Sequence, residues 1–431
     1  MSKHIVIVGG GVGGTILANQ LVSKLYPEIL RDEVKITLLS ESPDHFYKPA
    51  FMYVAFNLFF QEELKRPERS LLRPEITFRV DPVTRFDFAG QSLHTRSGKR
   101  LGYDFLVIAT GCVPAPERIE GLKEAGDHFY QYQPARQLAQ RLSRIDKGRV
   151  FITVSFPQTP NVPHQCGIAP VETTLMLDDF LRRRGVRDRV EIIYTYPSTA
   201  QLLRNCLFLQ RPVGEVLPDI FEQRNIRFQR GFTLARVDPD RRIAYSEEGA
   251  EQPFDILMAT PPIRAVDAVL ESGASQAQGQ EGWLPTHHET LQVYGLERVY
   301  VIGDTVDLPI SKAGGACHNQ APVIANNIAG EIRLGSPEAV YDGRVQAVAQ
   351  MGLNAACPFG TTMPTTFCPP RRASWVACCA PDSIAACTGR SPRNALTLHR
   401  EETTPWTALI QACLVQGRPS LKSPARQAWK P

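Results

Sequence analysis

Ile5-Val6-Ile7-Val8-Gly9-Gly10-Gly11-Val12-Gly13-Gly14, directly behind Met1-Ser2-Lys3-His4, is the stretch on which the reading of this chain rests. Four apolar β-formers run into a glycine-rich turn, and Thr15 to about Tyr26 continues as a helix. Gly9, Gly11 and Gly14 hold the G-x-G-x-x-G spacing: the first allows a tight turn, the second lets backbone approach a diphosphate, and the third lets helix and strand pack closely. The diphosphate would meet free N–H groups at the positive end of the helix. A second buried strand, Val34-Lys35-Ile36-Thr37-Leu38-Leu39, completes a βαβ start, so a parallel α/β sheet is expected. The acid at its end is Glu41, with Ser40 as the competing ribose contact.

Working outward, Phe105-Leu106-Val107-Ile108 runs into Ala109-Thr110-Gly111, and Val299-Tyr300-Val301-Ile302 into Gly303-Asp304. Between them lie strands at Arg149 to Val154 and Val190 to Tyr194, separated by a helix from Val171 to Arg184, which reads as a second domain inserted into the first. The expected divisions are 1–115 and 290–352 for the two parts of the cofactor domain, 116–289 for the middle domain, and 353–431 for a tail rich in proline and cysteine. In the tail the periodicity fails, acidic residues nearly vanish, and Trp375, Trp406 and Trp429 appear. It reads as a loose extension, a membrane-touching segment such as Thr407 to Val415, or translation in a shifted frame.

A chain of 431 residues with 43% apolar and 21% charged residues is an ordinary globular composition, which excludes a disordered or fibrous class. The net charge of +4, spread along the chain, gives no basis for a nucleic-acid partner. No metal site is expected. The short lead into the first strand leaves no space for a signal peptide, and no run of about 18 uncharged apolar residues follows, so a cytoplasmic protein with at most peripheral membrane contact is expected.

Three ordered motifs, at Gly9 to Gly14, Ala109 to Gly111 and Gly303-Asp304, resemble the flavin contacts of two-dinucleotide-domain flavoproteins. The resemblance implies a tandem Rossmann-like α/β fold with FAD on the first turn and Asp304 on its ribitol chain. The candidate cofactor set is Gly9, Gly11, Gly14, Ser40, Glu41, Val80, Ala109, Thr110, Gly111, Gly303 and Asp304. The second glycine fingerprint, expected after Val150 to Val154 in enzymes that use nicotinamide, is missing. Ser155 to Pro163 stands there instead, with prolines that lack N–H donors.

Next comes His164-Gln165-Cys166-Gly167-Ile168-Ala169-Pro170-Val171-Glu172, a cysteine just ahead of a helix, where a lowered thiol pKa and a nucleophilic thiolate are expected; the bland alternative is a packed thiol. This segment, Pro261-Pro262, and Lys312 with Gly314 resemble sulfide:quinone oxidoreductases and the flavoprotein of flavocytochrome c sulfide dehydrogenase. The resemblance implies that Cys166 traps sulfide sulfur, that Lys312 lies near the isoalloxazine, and that electrons leave to quinone.

The family's second redox cysteine falls where this chain has Ala347, so a substitute partner is sought in Cys317, which is otherwise a packed residue. Glu172 is either a catalytic carboxylate or a first-turn acid. His164 and His318 are proton carriers or ordinary helix residues. The stretch His128-Phe129-Tyr130-Gln131 carries no thiol, so FAD is expected to be held noncovalently. The alternatives are a type II NADH dehydrogenase-like quinone reductase and a flavin-binding relative that has lost sulfide activity.

Overall fold

The computed structural model describes residues 2–155, 164–197, 206–208, 211–273, 282–354 and 356–361. Two parallel sheets organise it. In the first, the strand order is Val299–Val301, Phe105–Ile108, Lys3–Val8, Val34–Ser40 and Ile76–Val80, so residues far apart in the chain share one sheet. Ile5, Val6 and Ile7 are wholly buried, which is why the strand is apolar without alternation from Ile5 to Val8. The helices Val12–Lys24 and Gly314–Leu334 pack against each other. The helix over the glycine turn therefore starts earlier than the Thr15 expected from periodicity, because Val12, Gly13 and Gly14 already lie in its first turn.

The second sheet orders Gly126–Asp127, Ile256–Thr260, Gly148–Val154, Val190–Tyr196 and Arg227–Arg230, all parallel. Its central strand is covered on both faces. Val150, Ile152 and Val154 join one apolar cluster, while Phe151, between them, joins another with Ile193 and Phe232. The helix Ala169–Arg183 packs on the first of these faces.

Two short pairings join the sheets. Val113–Pro114 runs antiparallel to Ile263–Arg264, and His164–Gln165 runs parallel to Ser311–Lys312 with Gln165 beside Lys312. The second pairing carries the cysteine segment of the middle sheet to the segment that follows Gly303-Asp304.

The first residues of the segment from 353 onward lie among the described ones. Ala356–Thr361 forms a strand antiparallel to Val345–Gln350 and to Cys206–Phe208. The remaining tail, with Thr407 to Val415, and the prolines from Gln158 to Pro163 lie outside the described residues. Among the described residues no helix is long and apolar enough to cross a membrane.

Candidate functional site

The glycine turn is built as its spacing requires. Gly9 has φ +119°, and a Cβ there would lie 2.3 Å from the Ala109 carbonyl oxygen, so the turn and the neighbouring strand end meet backbone to backbone. A Cβ on Gly14 would lie 1.9 Å from the Gly9 carbonyl oxygen, which fixes the helix against the strand. Gly11 is different: a Cβ there would have nothing within 4 Å. It caps the helix without a side-chain hydrogen bond, and no acidic residue lies in the first turn. Open space over uncapped N–H groups is what a dinucleotide diphosphate needs, so the residues present fit that group.

At the end of the second strand the two ribose candidates separate. Ser40 is buried and stands against the turn, its hydroxyl oxygen 2.8 Å from where a Gly10 Cβ would be, whereas Glu41 is exposed. Val80 pairs with Ser40 on the neighbouring strand and is 48% exposed.

Ala109 donates its N–H to the Val8 carbonyl at 2.8 Å, and the Thr305 hydroxyl donates to the Gly111 carbonyl at 3.1 Å. The Thr110 and Thr305 hydroxyls are 3.2 Å apart. Gly303, at φ +77°, donates its N–H to Gln320 Oε1 at 2.8 Å, which leaves Asp304 partly exposed and accepting from the Cys112 thiol at 3.4 Å. All three motifs thus gather at the carboxyl ends of adjacent parallel strands, the place where open α/β sheets bind their ligands.

Lys312 is buried beside this crevice. Its ammonium donates to the Asp304 carbonyl and, at 2.9 Å, to the Val306 carbonyl, and it stands 3.8 Å from the centre of the Trp283 ring. Burial lowers its pKa to about 8, against the opposing pull of Asp304. Trp283 was not visible as a site residue, because nothing near it in sequence marks the contact.

Cys166 follows the pairing of Gln165 with Lys312 and precedes the helix Ala169–Arg183. It is partly exposed. The expected lowering of its thiol pKa is not found. The N–H groups of Ala169 and Ile168 and the Ser311 hydroxyl do favour thiolate, but burial and the charge of Glu172 outweigh them and push the thiol up to about 11. A helix N-terminus contributes only a partial charge, and here the carboxyl of Glu172 stands in the first turn of the same helix.

That carboxylate, Glu172, is buried and accepts the Gln350 N–H at 2.7 Å. Burial raises it to about 7, with the Gln350 bond opposing. Two tyrosines surround it. Burial and then Glu172 raise Tyr53, while burial raises Tyr130, whose hydroxyl is 3.3 Å from that of Thr260. Neither tyrosine was legible in the sequence, since each reaches the cysteine helix from a distant element.

Cys317 sits elsewhere. It is buried with its sulfur 3.1 Å from where a Cβ would stand on either Gly13 or Gly303, so it is the spacer beneath the glycine turn and the Gly-Asp turn. Burial raises its thiol well above the ordinary range. It belongs to the apolar core of the first sheet, whereas Cys166 packs with that of the second. Ala347 lies in the strand Val345–Gln350, paired along the backbone with Phe359. His318 is partly buried with a lowered pKa, and the side chain of His164 lies outside the described residues.

Residues 3–153 match the pyridine nucleotide-disulphide oxidoreductase family. The mitochondrial sulfide:quinone oxidoreductase of Dictyostelium discoideum is 28% identical over 348 residues, covering 79% of this chain and 73% of that protein. The sulfide-quinone reductase of Aquifex aeolicus is 28% identical over 371 residues, covering 81% and 80%. The crystal structure of the sulfide:quinone oxidoreductase from Aquifex aeolicus superimposes with a TM-score of 0.71 at 25% identity over 86% of each chain. NDH2 from Plasmodium falciparum in complex with NADH shares the fold, with a TM-score of 0.63 at 13% identity. The chain is a homologue of the sulfide:quinone oxidoreductases and has the α/β, tandem Rossmann-like fold of FAD/NAD-binding oxidoreductases.

Proposed function

We propose that this chain is an FAD-dependent oxidoreductase of the sulfide:quinone reductase type, oxidising sulfide or a related sulfur species through Cys166 and passing the electrons to quinone. The observation that supports the reading is the pairing of Gln165 with Lys312, which brings the residue before Cys166 beside the segment that follows Gly303-Asp304. FAD, when bound, supplies the two-electron acceptor that sulfur oxidation requires and that thiols lack.

The cofactor is held noncovalently. Gly9, Gly11 and Gly14 cradle its diphosphate, Ser40 takes the ribose in preference to Glu41, and Ala109, Thr110, Gly111, Gly303 and Asp304 line the remaining crevice, with Val80 at its edge. The division into cofactor domain (1–115 and 290–352) and middle domain (116–289) follows the two sheets and belongs to the same proposal.

Within the site, Cys166 is the sulfur nucleophile. Its thiol must lose a proton to act, and Glu172, buried and with its pKa raised to about 7, is the proposed acceptor. Lys312 keeps a positive charge beside Asp304 and the crevice. Cys317 packs the turns and takes no part in sulfur transfer. Contact with the membrane, where quinone resides, is peripheral and on the cytoplasmic face, and no nucleic acid is involved.

Anaerobic addition of sulfide should bleach the flavin absorbance of wild type and leave Cys166→Ala oxidised, with Cys317→Ala behaving as wild type. Equal bleaching in Cys166→Ala would remove the sulfur mechanism. No bleaching in wild type would favour a flavin-binding relative that has lost activity, a reading that Ala347 motivates. Rapid bleaching by NADH would favour the type II NADH dehydrogenase reading, against which the missing second glycine fingerprint stands.

A further inference from the structure

The wall behind the glycine turn carries a buried polar cluster that the sulfur chemistry does not use. Thr15, His45 and Glu68 are 1%, 2% and 0% exposed. The Thr15 hydroxyl lies 2.6 Å from one carboxylate oxygen of Glu68 and 2.9 Å from the Gly11 carbonyl. The other Glu68 oxygen lies 2.9 Å from His45 Nδ1. On the turn side, a Cβ placed on Gly10 would stand 3.4 Å from the Glu68 carboxyl carbon and 2.8 Å from Ser40 Oγ. Glu68 therefore touches the turn beside the residue that carries the ribose contact.

The segment that brings Glu68 is tied down separately. Asp44–Phe46 pairs antiparallel with Lys65–Pro67, and Glu68 donates its N–H to the Pro43 carbonyl at 2.8 Å. Asn19 clamps its far end, donating to the Leu71 carbonyl and accepting from the Arg73 N–H, each at 2.9 Å.

A diphosphate turn binds well only if its N–H groups are already in place, and glycine-rich backbone has the greatest freedom to lose. This helix has no side-chain cap and no acid in its first turn, so the order must come from outside. A buried, hydrogen-bonded carboxylate that engages both the helix and the turn supplies it.

We propose that Glu68, held by Thr15 and His45, is a positioning residue for the cofactor turn: it orders Gly10, Gly11 and Ser40 for the diphosphate and ribose of FAD. The proposal rests on the flavin reading given above. It moves the important acid of this site from Glu41, at the end of the second strand, to a separate short helix.

The test is FAD titration of apoprotein by flavin fluorescence, with thermal unfolding of the same apoproteins alongside. Glu68→Ala should weaken FAD binding by about tenfold or more. Glu68→Gln keeps the shape and can accept from Thr15 and donate to His45, so it should stay within about threefold of wild type, and so should Glu41→Gln. Should Glu68→Ala not fold, Thr15→Val removes one partner at similar volume and should weaken FAD binding by about threefold to fivefold. Wild-type affinity in Glu68→Ala or Thr15→Val, even with lowered thermal stability, overturns the proposal, as does a loss in Glu41→Gln equal to that in Glu68→Ala. Failure of wild type to bind FAD would sink the flavin reading as well, whereas normal wild-type binding with unaffected variants sinks the positioning role alone.

Discussion

Alanine substitutions at Gly11 and Gly14 should separate cofactor binding from folding, although the two glycines belong to one motif. At Gly14 the new methyl carbon would fall 1.9 Å from the Gly9 carbonyl oxygen, where ordinary contact begins at 3.4 Å. Helix and strand would have to part by the difference, about 1.5 Å, between two backbone segments that cannot rotate away. Overpacking of this kind costs ~1–3 kcal/mol, and a clash against backbone belongs at the upper end. At ~2–4 °C per kcal/mol, Gly14→Ala apoprotein should melt roughly 6–12 °C below wild type. At Gly11 the methyl meets nothing within 4 Å and the backbone, at φ −94°, already suits alanine. Gly11→Ala apoprotein should therefore melt within about 2 °C of wild type, yet its methyl stands in the space a diphosphate would fill. FAD affinity should fall by about tenfold or more, ~1.4 kcal/mol. Scanning fluorimetry of the apoproteins and fluorescence titration with FAD measure the two effects. Wild-type FAD affinity in Gly11→Ala would refute the placement of the diphosphate, and an unshifted melting temperature in Gly14→Ala would refute the packing argument.

Glu172→Gln should stabilise the protein above neutral pH. The Glu172 carboxyl titrates at about 7 in the fold against an ordinary 4.5, so the folded state holds a proton that the unfolded chain releases between those values. Wild-type stability then falls as pH rises from 4.5 to 7, by about 3 kcal/mol for this group. The amide escapes that loss, so calorimetry at pH 8 should show the variant melting higher, and a lower melting point there would contradict the burial argument. Cys166, pushed up to about 11, should react with iodoacetamide at a rate still climbing above pH 9. A plateau near pH 8 would restore the lowered thiol. Asp178 is wholly buried and pairs with Arg187 Nε at 2.6 Å. Arg187→Ala should lower stability by ~1.5–3 kcal/mol in urea unfolding, because the carboxylate loses its buried partner and keeps only Arg182 at 3.0 Å and Arg224 at 3.1 Å; a change under about 0.5 kcal/mol would argue against that.

The glycine turn and the order of the motifs were legible along the chain. Gly9, Gly11 and Gly14 are legible because a strand, a turn and a helix are local events, and each glycine has a steric reason that needs only its immediate neighbours. The doubly covered strands were legible too, since burial on both faces writes an unbroken apolar run. Cys166 was singled out by its place ahead of a helix and Lys312 by resemblance, but that Gln165 pairs beside Lys312 is a contact between two sheets and leaves no periodic trace.

The electrostatics of the site come from contacts between distant parts of the chain. The position of Cys166 ahead of a helix argued for a stabilised thiolate, and the site reverses this, because burial and Glu172 act more strongly than the end of the helix. The same holds for Cys317, whose place beneath Gly13 and Gly303 makes it a spacer, and for Trp283 under the Lys312 ammonium. It holds again for Glu68, whose acid reaches the turn from a short helix, while Glu41, where the motif puts the acid, faces solvent. Steric fit within one turn is fixed by adjacent residues. The charge state of a buried group is fixed by everything that surrounds it, and most of those neighbours come from elsewhere in the chain.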